Sequence, residues 1–257
     1  MNGAIGPILR QWRKLRRYSQ LQLAVELGIS SKHISFMETG RSAPSRDMIL
    51  RVGEFLFLPK REINRGLYSA GFAPVYADLP VDHVDLKPVF SAIDQLIVNH
   101  MPYPAIVLNQ YWDVVKANAS AITLLSELGY AGQNNLIEAL ILDDPETSKI
   151  VNWHESVLLV LVRLRHEISI LGGSDRLEAL AKKLAACVNS DEDLINIGEN
   201  KAILSTKFNV ADRVLSFFSI ISQFSTIQDV TVSEFKVELM FPSDECTTEY
   251  YARGNVS

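Results

Sequence analysis

Ser19-Gln20-Leu21-Gln22-Leu23-Ala24-Val25-Glu26-Leu27-Gly28-Ile29-Ser30-Ser31-Lys32-His33-Ile34-Ser35-Phe36-Met37-Glu38-Thr39-Gly40-Arg41 is the stretch on which the reading of this chain turns. It reads as two short helices meeting at one glycine. Ser19 is a good N-cap for the first, and Leu23, Ala24 and Leu27 are its inward positions. Gly28 can take the left-handed conformation that ends a helix without a Cβ penalty. Ile29 plugs the turn and Ser30 caps the second helix, whose Ile34 and Met37 point inward at i, i+3. Ser31, Lys32, His33 and Ser35 are left as a polar face, joined by Phe36. Two helices at a sharp angle with such a face are how a small domain lays one helix into the DNA major groove.

The flanks agree with this. Before it, Ile5, Ile8, Leu9, Trp12 and Leu15 fall at helical spacing, and the other face of that helix is expected to carry Arg10, Arg13, Lys14, Arg16 and Arg17. After it, Pro44-Ser45-Arg46 opens one helix and Pro59 another, ending near Ala70-Gly71. Five helices in residues 1–71 make one all-α bundle. Overall charge is −5, but residues 1–70 hold twelve Lys/Arg against five Asp/Glu, and the remainder thirteen against twenty-five. A basic head on an acidic body separates a part that meets phosphate from one that does not. Lys32 is placed to reach guanine O6 or N7, and Phe36 either to pack on a thymine methyl or to join the core. Ser30, Ser31, His33 and Ser35 share that edge. Gln20 and Ser45 at helix starts, with Arg41 and Arg46, are expected to hold backbone phosphates.

The order Ser-Gln-x-x-Leu-Ala, Gly-Ile-Ser, then Glu-Thr-Gly-Arg resembles the Cro/C1-type (XRE) helix-turn-helix family. The resemblance implies that Gln20 touches the DNA backbone and that two copies bind half-sites about 34–36 Å apart. No dimer seam is legible before residue 71, so the acidic body is expected to supply it.

Residues 72–84, with Pro74 and Pro80, read as a linker. Over 85–250 the pattern predicts a helix through Leu86, Phe90, Ile93 and Ile97, then strands at Ala105–Leu108 and Trp112–Ala117 around Asn109-Gln110, then a helix capped by Asn118. Asp144-Pro145 is expected to open a helix whose stripe is Ile150, Trp153, Val157, Leu161, Leu164 and Ile168. Residues 175–188 give another. Two later strands are read at Ala202–Val210 and Leu215–Phe224, turning at Ala211-Asp212-Arg213, and a last helix at Val232–Met240. Four strands with helices over one face make an α+β domain of PAS-like kind, able to enclose an apolar chamber.

Pro102-Tyr103-Pro104-Ala105, Tyr111-Trp112-Asp113-Val114-Val115-Lys116-Ala117-Asn118-Ala119, Ile150-Val151-Asn152-Trp153, Asp229-Val230-Thr231 and Phe241-Pro242-Ser243-Asp244-Glu245 resemble the ligand-binding domain of MmyB-like (MltR-type) bacterial regulators. That resemblance implies a PAS-like domain behind an XRE-type head, holding an apolar small molecule with a fatty acid as leading candidate. The chain departs from the family pattern around Asp143–Ser148 and over Gly173–Gly198. Candidate ligand contacts are Tyr103, Trp112, Asn118, Trp153, Phe208, Phe217 and Phe218, with Arg163 to fork a ligand carboxylate.

No catalytic set is legible. The five histidines make neither HExxH nor His-x-His, His154-Glu155 and His166-Glu167 are adjacent pairs, Gly172-Gly173-Ser174 is a lone turn, and Asp191-Glu192-Asp193 is a charged loop. Cys187 and Cys246 fit neither a metal site nor a disulfide framework. No leader or membrane-length apolar run is read, so a bacterial cytoplasm is the expected compartment. The sequence therefore predicts a non-enzymatic, metal-free DNA-binding homodimer answering to a small apolar ligand. Its rivals are a regulator whose C-terminal domain only dimerises or binds a protein, and, more remotely, an enzyme.

Overall fold

A computed structural model describes residues 5–171, 173–188, 204–224 and 228–253. The Asp191–Asp193 loop, Gly172 and Ala202 lie outside the described residues. In chain order the elements are α1 (Ile5–Leu15), α2 (Gln20–Glu26), α3 (Ser31–Glu38), α4 (Arg46–Phe55), α5 (Lys60–Ser69), α6 (Lys87–Asn99), β1 (Ala105–Leu108), β2 (Val114–Ala117), α7 (Ala119–Glu127), α8 (Leu136–Leu142), α9 (Trp153–Leu171), α10 (Asp175–Ala186), β3 (Thr206–Val210), β4 (Arg213–Gln223), α11 (Val230–Ser233), β5 (Lys236–Pro242) and α12 (Glu245–Ala252). They form two compact units. The first takes Met1–Leu79, Glu167–Ser174 and Ile227–Ser233, and the second takes Pro80–His166, Asp175–Thr226 and Glu234–Ser257. Among the described residues no helix is long and apolar enough to cross a membrane.

The first unit is built on local signals. Ser19, Ser30 and Ser45 each accept a backbone N–H of the first turn they open, from Gln22, His33 and Met48 respectively. Gln22 bonds back to the Ser19 N–H and completes a capping box. Gly28 takes φ +64° between α2 and α3. The core gathers Leu9, Trp12, Leu23, Ala24, Ile34, Met37, Ile49 and Leu67. Gly66 lies so close to Trp12 that a Cβ there would sit 2.2 Å from the indole. Residues 72–79, read as the start of a linker, are tied into this unit. Asn64 bonds the Tyr76 backbone on both sides, Tyr76 is buried, and the Val230 N–H donates to the Ala77 carbonyl.

The second unit is a five-stranded antiparallel sheet of order β2-β1-β5-β4-β3 with helices packed on it, an α+β fold. Two corrections concern its middle and end. The helix expected over Val232–Met240 is, from Lys236, the central strand β5, pairing with β1 on one side and β4 on the other. Val232 and Phe235 belong to a separate short turn of helix and its exit, and joining them to Leu239 imitates a helical stripe. The alternation Lys236, Glu238, Met240 against Val237, Leu239, Phe241 is the true period of two. The helix expected from Pro145 starts only at Trp153. Ile150 instead bridges to Phe208, and Ser148 donates to Asp143. The short α8 and α12 carry no expectation from the sequence. At the β3–β4 turn, Ala211 and Asp212 both have positive φ, 49° and 60°, the primed geometry that suits a tight hairpin.

The register sorts the sheet's two faces. Val107 lies opposite Val237 and packs with Ile93 and Ile97 of α6. Ile106 lies opposite Glu238, and both line a cavity on the other face.

Candidate functional site

In the first unit the polar edge of α3 is set by its apolar one. Ile34 and Met37 are 2% and 1% exposed, which fixes the helix's rotation and turns Lys32 outward to solvent. Phe36 is half-buried at the surface and not in the core. Lys32 Nζ lies 5.4 Å from its ring centre and the Arg41 guanidinium 5.7 Å. Arg41 and Arg46 are exposed, while Ser31, His33 and Ser35 are half-buried along the same helix. Ser30 and Ser45 are exposed and spend one lone pair on their caps.

Two arginines leave the expected cationic face. Arg13 is buried and makes a two-pronged pair with Glu38, at 2.6 Å and 2.8 Å, because α1 and α3 cross tightly there. Arg16 donates to the carbonyls of Leu56 and Phe57. Glu38 also accepts from Gln20 Nε2 at 2.8 Å, so Gln20 is braced from inside the bundle. Burial pushes the Glu38 carboxyl up, but the hydrogen bonds from Arg13 and Gln20 and the Arg13 charge outweigh it and hold it below the usual carboxylate value. The sequence carries a signal for this: Arg13 follows Leu9 by four residues and so lies on the buried side of α1. An open groove of about 560 Å³ on this unit, against Arg10, Gln11 and Lys14, is surface relief between α1 and the end of α3.

The second unit holds a cavity of about 140 Å³ on the inner sheet face. Of the eight residues expected to contact a ligand, Trp112, Arg163, Phe208 and Phe217 line it. The other four are placed elsewhere, each for a physical reason. Asn118 spends its side chain as N-cap of α7, accepting from the Ala121 and Ala105 N–H groups and donating to the Ile97 and Tyr103 carbonyls. Tyr103 packs against His100 and Tyr251. Trp153 is buried against His154 at the start of α9. Phe218 falls on the opposite sheet face by strand alternation and stacks on Phe241.

Trp112 is put in place by strain and a polar hub. It takes φ 68°, a left-handed conformation rare for a bulky residue. The neighbouring turn holds it there. Asn109 Oδ1 accepts from the Tyr111 and Asp113 N–H groups, and Asn135 donates to the Tyr111 carbonyl and to Asp113 while capping α8. Arg176 forks Asp113 at 2.9 Å and 2.6 Å. Burial raises the Asp113 carboxyl, and bonds from Arg176, Asn135 and Asn109 more than reverse this, leaving it lowered. The indole so placed meets the Arg163 guanidinium at 4.3 Å and Lys236 Nζ at 3.9 Å from its centre.

Arg163 and Glu238 are the charged residues on the cavity wall, with Nη1 and Oε2 3.6 Å apart. That is beyond hydrogen-bond reach but close enough for mutual compensation. Tyr130 also lines the cavity. Burial, then its bond to Asp143, pushes its hydroxyl far above the ordinary tyrosine value, so it stays a neutral donor. Glu238 carries no site expectation from the sequence, because the pattern over Val232–Met240 imitates a helix where the chain forms β5. The rest of the wall is mostly apolar, from Ile106, Leu124, Leu140, Val160 and Met240 among others, with the hydroxyl residues Ser156, Thr206 and Ser219 set into it. A mostly apolar chamber with a few placed polar groups and one charged corner is the ordinary form of a small-molecule site. Among the described residues no group of three His, Cys, Asp or Glu could hold a metal ion.

A family model described as MmyB-like transcription regulator ligand binding domain matches residues 89–252, and one described as Helix-turn-helix matches residues 9–63. Comparison with curated proteins finds no match.

Proposed function

The chain belongs to the MmyB-like transcription regulators, and on that footing we propose that it is a sequence-specific regulator whose DNA binding is switched by a small apolar effector. At the coarser level it is a DNA-binding transcription regulator with a ligand-binding domain. The strand order 2-1-5-4-3 with helices over the inner face supports the PAS-like reading. Lys32, Phe36 and their neighbours on α3 read base edges, and Gln20, Ser45, Arg41 and Arg46 hold phosphates. Two copies bind two half-sites, in the cytoplasm, with no catalysis. By family resemblance the effector is a fatty acid, its carboxylate directed to Arg163.

The observation that carries this is the cavity: about 140 Å³, mostly apolar, with Arg163 and Glu238 at one corner. The rival, a second unit that only dimerises or docks a protein, expects a filled interior. The effector can move the regulator only as far as its affinities for two states differ. The test is operator binding by the full chain with and without added fatty acids, beside mass spectrometry of the purified protein. A changed operator affinity, or a co-purifying small molecule released by Arg163→Ala, is expected. Equal operator affinity throughout, with nothing bound, overturns the switch and leaves the DNA binding.

A further inference from the structure

Resting on the reading of this cavity as the effector site, we propose that Phe208 and Phe217 form a ruler that limits the effector to a short chain or a single ring. Two independent measures of the cavity agree. The first is volume. Apolar cavities of roughly 150 Å³ accept benzene, whereas sites for drug-sized ligands run to about 300–1,000 Å³. The present chamber, at about 140 Å³, belongs with the former.

The second is length. Glu238, which marks the polar corner with Arg163, lies opposite Ile221 in the β4–β5 register, and Phe217 lies opposite Pro242. The polar corner and the Phe217 ring are thus four residues apart along β4, about 13 Å at the rise of an extended strand. Ser219 and Met240, opposite each other halfway between, also line the cavity, so one chamber runs between these ends. Contact distances of about 3.5–4 Å at both ends leave room for a chain of hexanoyl scale.

Rings that brace one another stand at the far end. Phe208 meets Phe217 at 6.0 Å between centres, Phe217 meets Tyr251 edge-on at 5.7 Å, and Tyr251 meets Tyr103 at 5.6 Å. Phe217 is 1% exposed and Phe208 7%. A close-packed ladder of this kind does not yield to a longer tail without displacing several rings together. The head at Arg163 and the tail stop at Phe217 together set the permitted length.

The experiment titrates the full-length protein calorimetrically with hexanoate, octanoate and tetradecanoate, each below its micelle threshold, and with benzoate. Where nothing obstructs it, each added methylene tightens binding about fourfold. The ruler instead gives an affinity that stops rising near hexanoate, with tetradecanoate at least about tenfold weaker than hexanoate. Phe217→Leu keeps a buried apolar side chain and is expected to move the best-bound length up by about two carbons. Phe208→Leu is the second variant, with the same expected direction. Affinity that climbs steadily to tetradecanoate in the unaltered protein, or an optimum that neither variant moves, overturns the ruler but leaves an effector site standing. Binding of none of the four acids, with operator affinity equally indifferent to them, removes both the ruler and the fatty-acid reading beneath it.

Discussion

Lys32 of α3 stands in solvent while Ile34 and Met37, on the same helix, are 2% and 1% exposed. Phe217 of β4 lines the cavity and is itself 1% exposed. On the proposed function, the residues of α3 that hold the fold and those that meet DNA are different residues on alternate faces of one helix. In the second unit they are the same residues, because a chamber's wall is also the core. On that reading function and stability are separable along α3 and fused at the cavity wall. Substitutions can break that contrast.

The largest effect is expected at Phe217→Ala, about 3–5 kcal/mol of stability, as a buried ring is lost and the Tyr251 contact with it. Denaturant unfolding followed by circular dichroism checks it. A loss under about 1 kcal/mol, with effector binding abolished, shows the wall to be separable from the core after all.

Arg13→Ala tests the first unit's own core. It strands the Glu38 carboxylate, whose side chain is 3% exposed, and is expected to cost about 3 kcal/mol. Were Arg13 a phosphate contact, as its place in a basic helix suggests, the variant would unfold normally and only bind DNA more weakly. The same pair gives a pH dependence. The Glu38 carboxyl is lowered in the folded protein, so its contribution is complete above its unfolded value, about 4.3, and lost as pH falls through the lowered folded value. Glu38→Gln is expected to reduce stability at neutral pH and to flatten the acid limb of the unfolding profile.

Lys32→Ala is the opposite case. Stability should move by less than about 0.5 kcal/mol, since the side chain is exposed and its contact with Phe36 is at the surface. Specific operator binding should weaken by about 1–3 kcal/mol, with relaxed preference at one base pair. Selection from a randomised duplex pool reads this directly. An unchanged preferred sequence places the reading edge on residues other than Lys32.

These contrasts also explain what could be read in advance. The helices of the first unit follow from signals within a few residues of one another: Ser19, Ser30 and Ser45 as caps, and Gly28 as the turn. Placing Arg13 and Arg16 on the cationic face treats charge as a sign of exposure, when Glu38, 25 residues on, absorbs Arg13, and the Leu56 and Phe57 carbonyls take Arg16. In the second unit, Trp112 and Phe208 come together through pairings that span the domain, and Glu238 enters by a strand inserted at the middle of the sheet although it is last in sequence. Asn118 illustrates the reverse confusion. A polar side chain in a family motif reads as a ligand contact, while its atoms are consumed in joining α7 to the ends of α6 and β1.

The smallest effect, and the sharpest on the division of labour within the first unit, is expected at Arg46→Ala. Arg46 opens α4 beside the Ser45 cap and is exposed. A contact to phosphate carries no sequence information, so its loss should weaken binding to matched and mismatched duplexes alike. Each phosphate contact releases condensed counterions, and removing one should make the plot of log affinity against log salt shallower by about 0.9. Lys32→Ala also removes a charge, so the salt slope alone does not tell the two apart. The pair of readouts does: Arg46→Ala shifts the slope with the base preference intact, and Lys32→Ala changes the preference. A changed preference in Arg46→Ala would extend the reading edge from α3 to the start of α4.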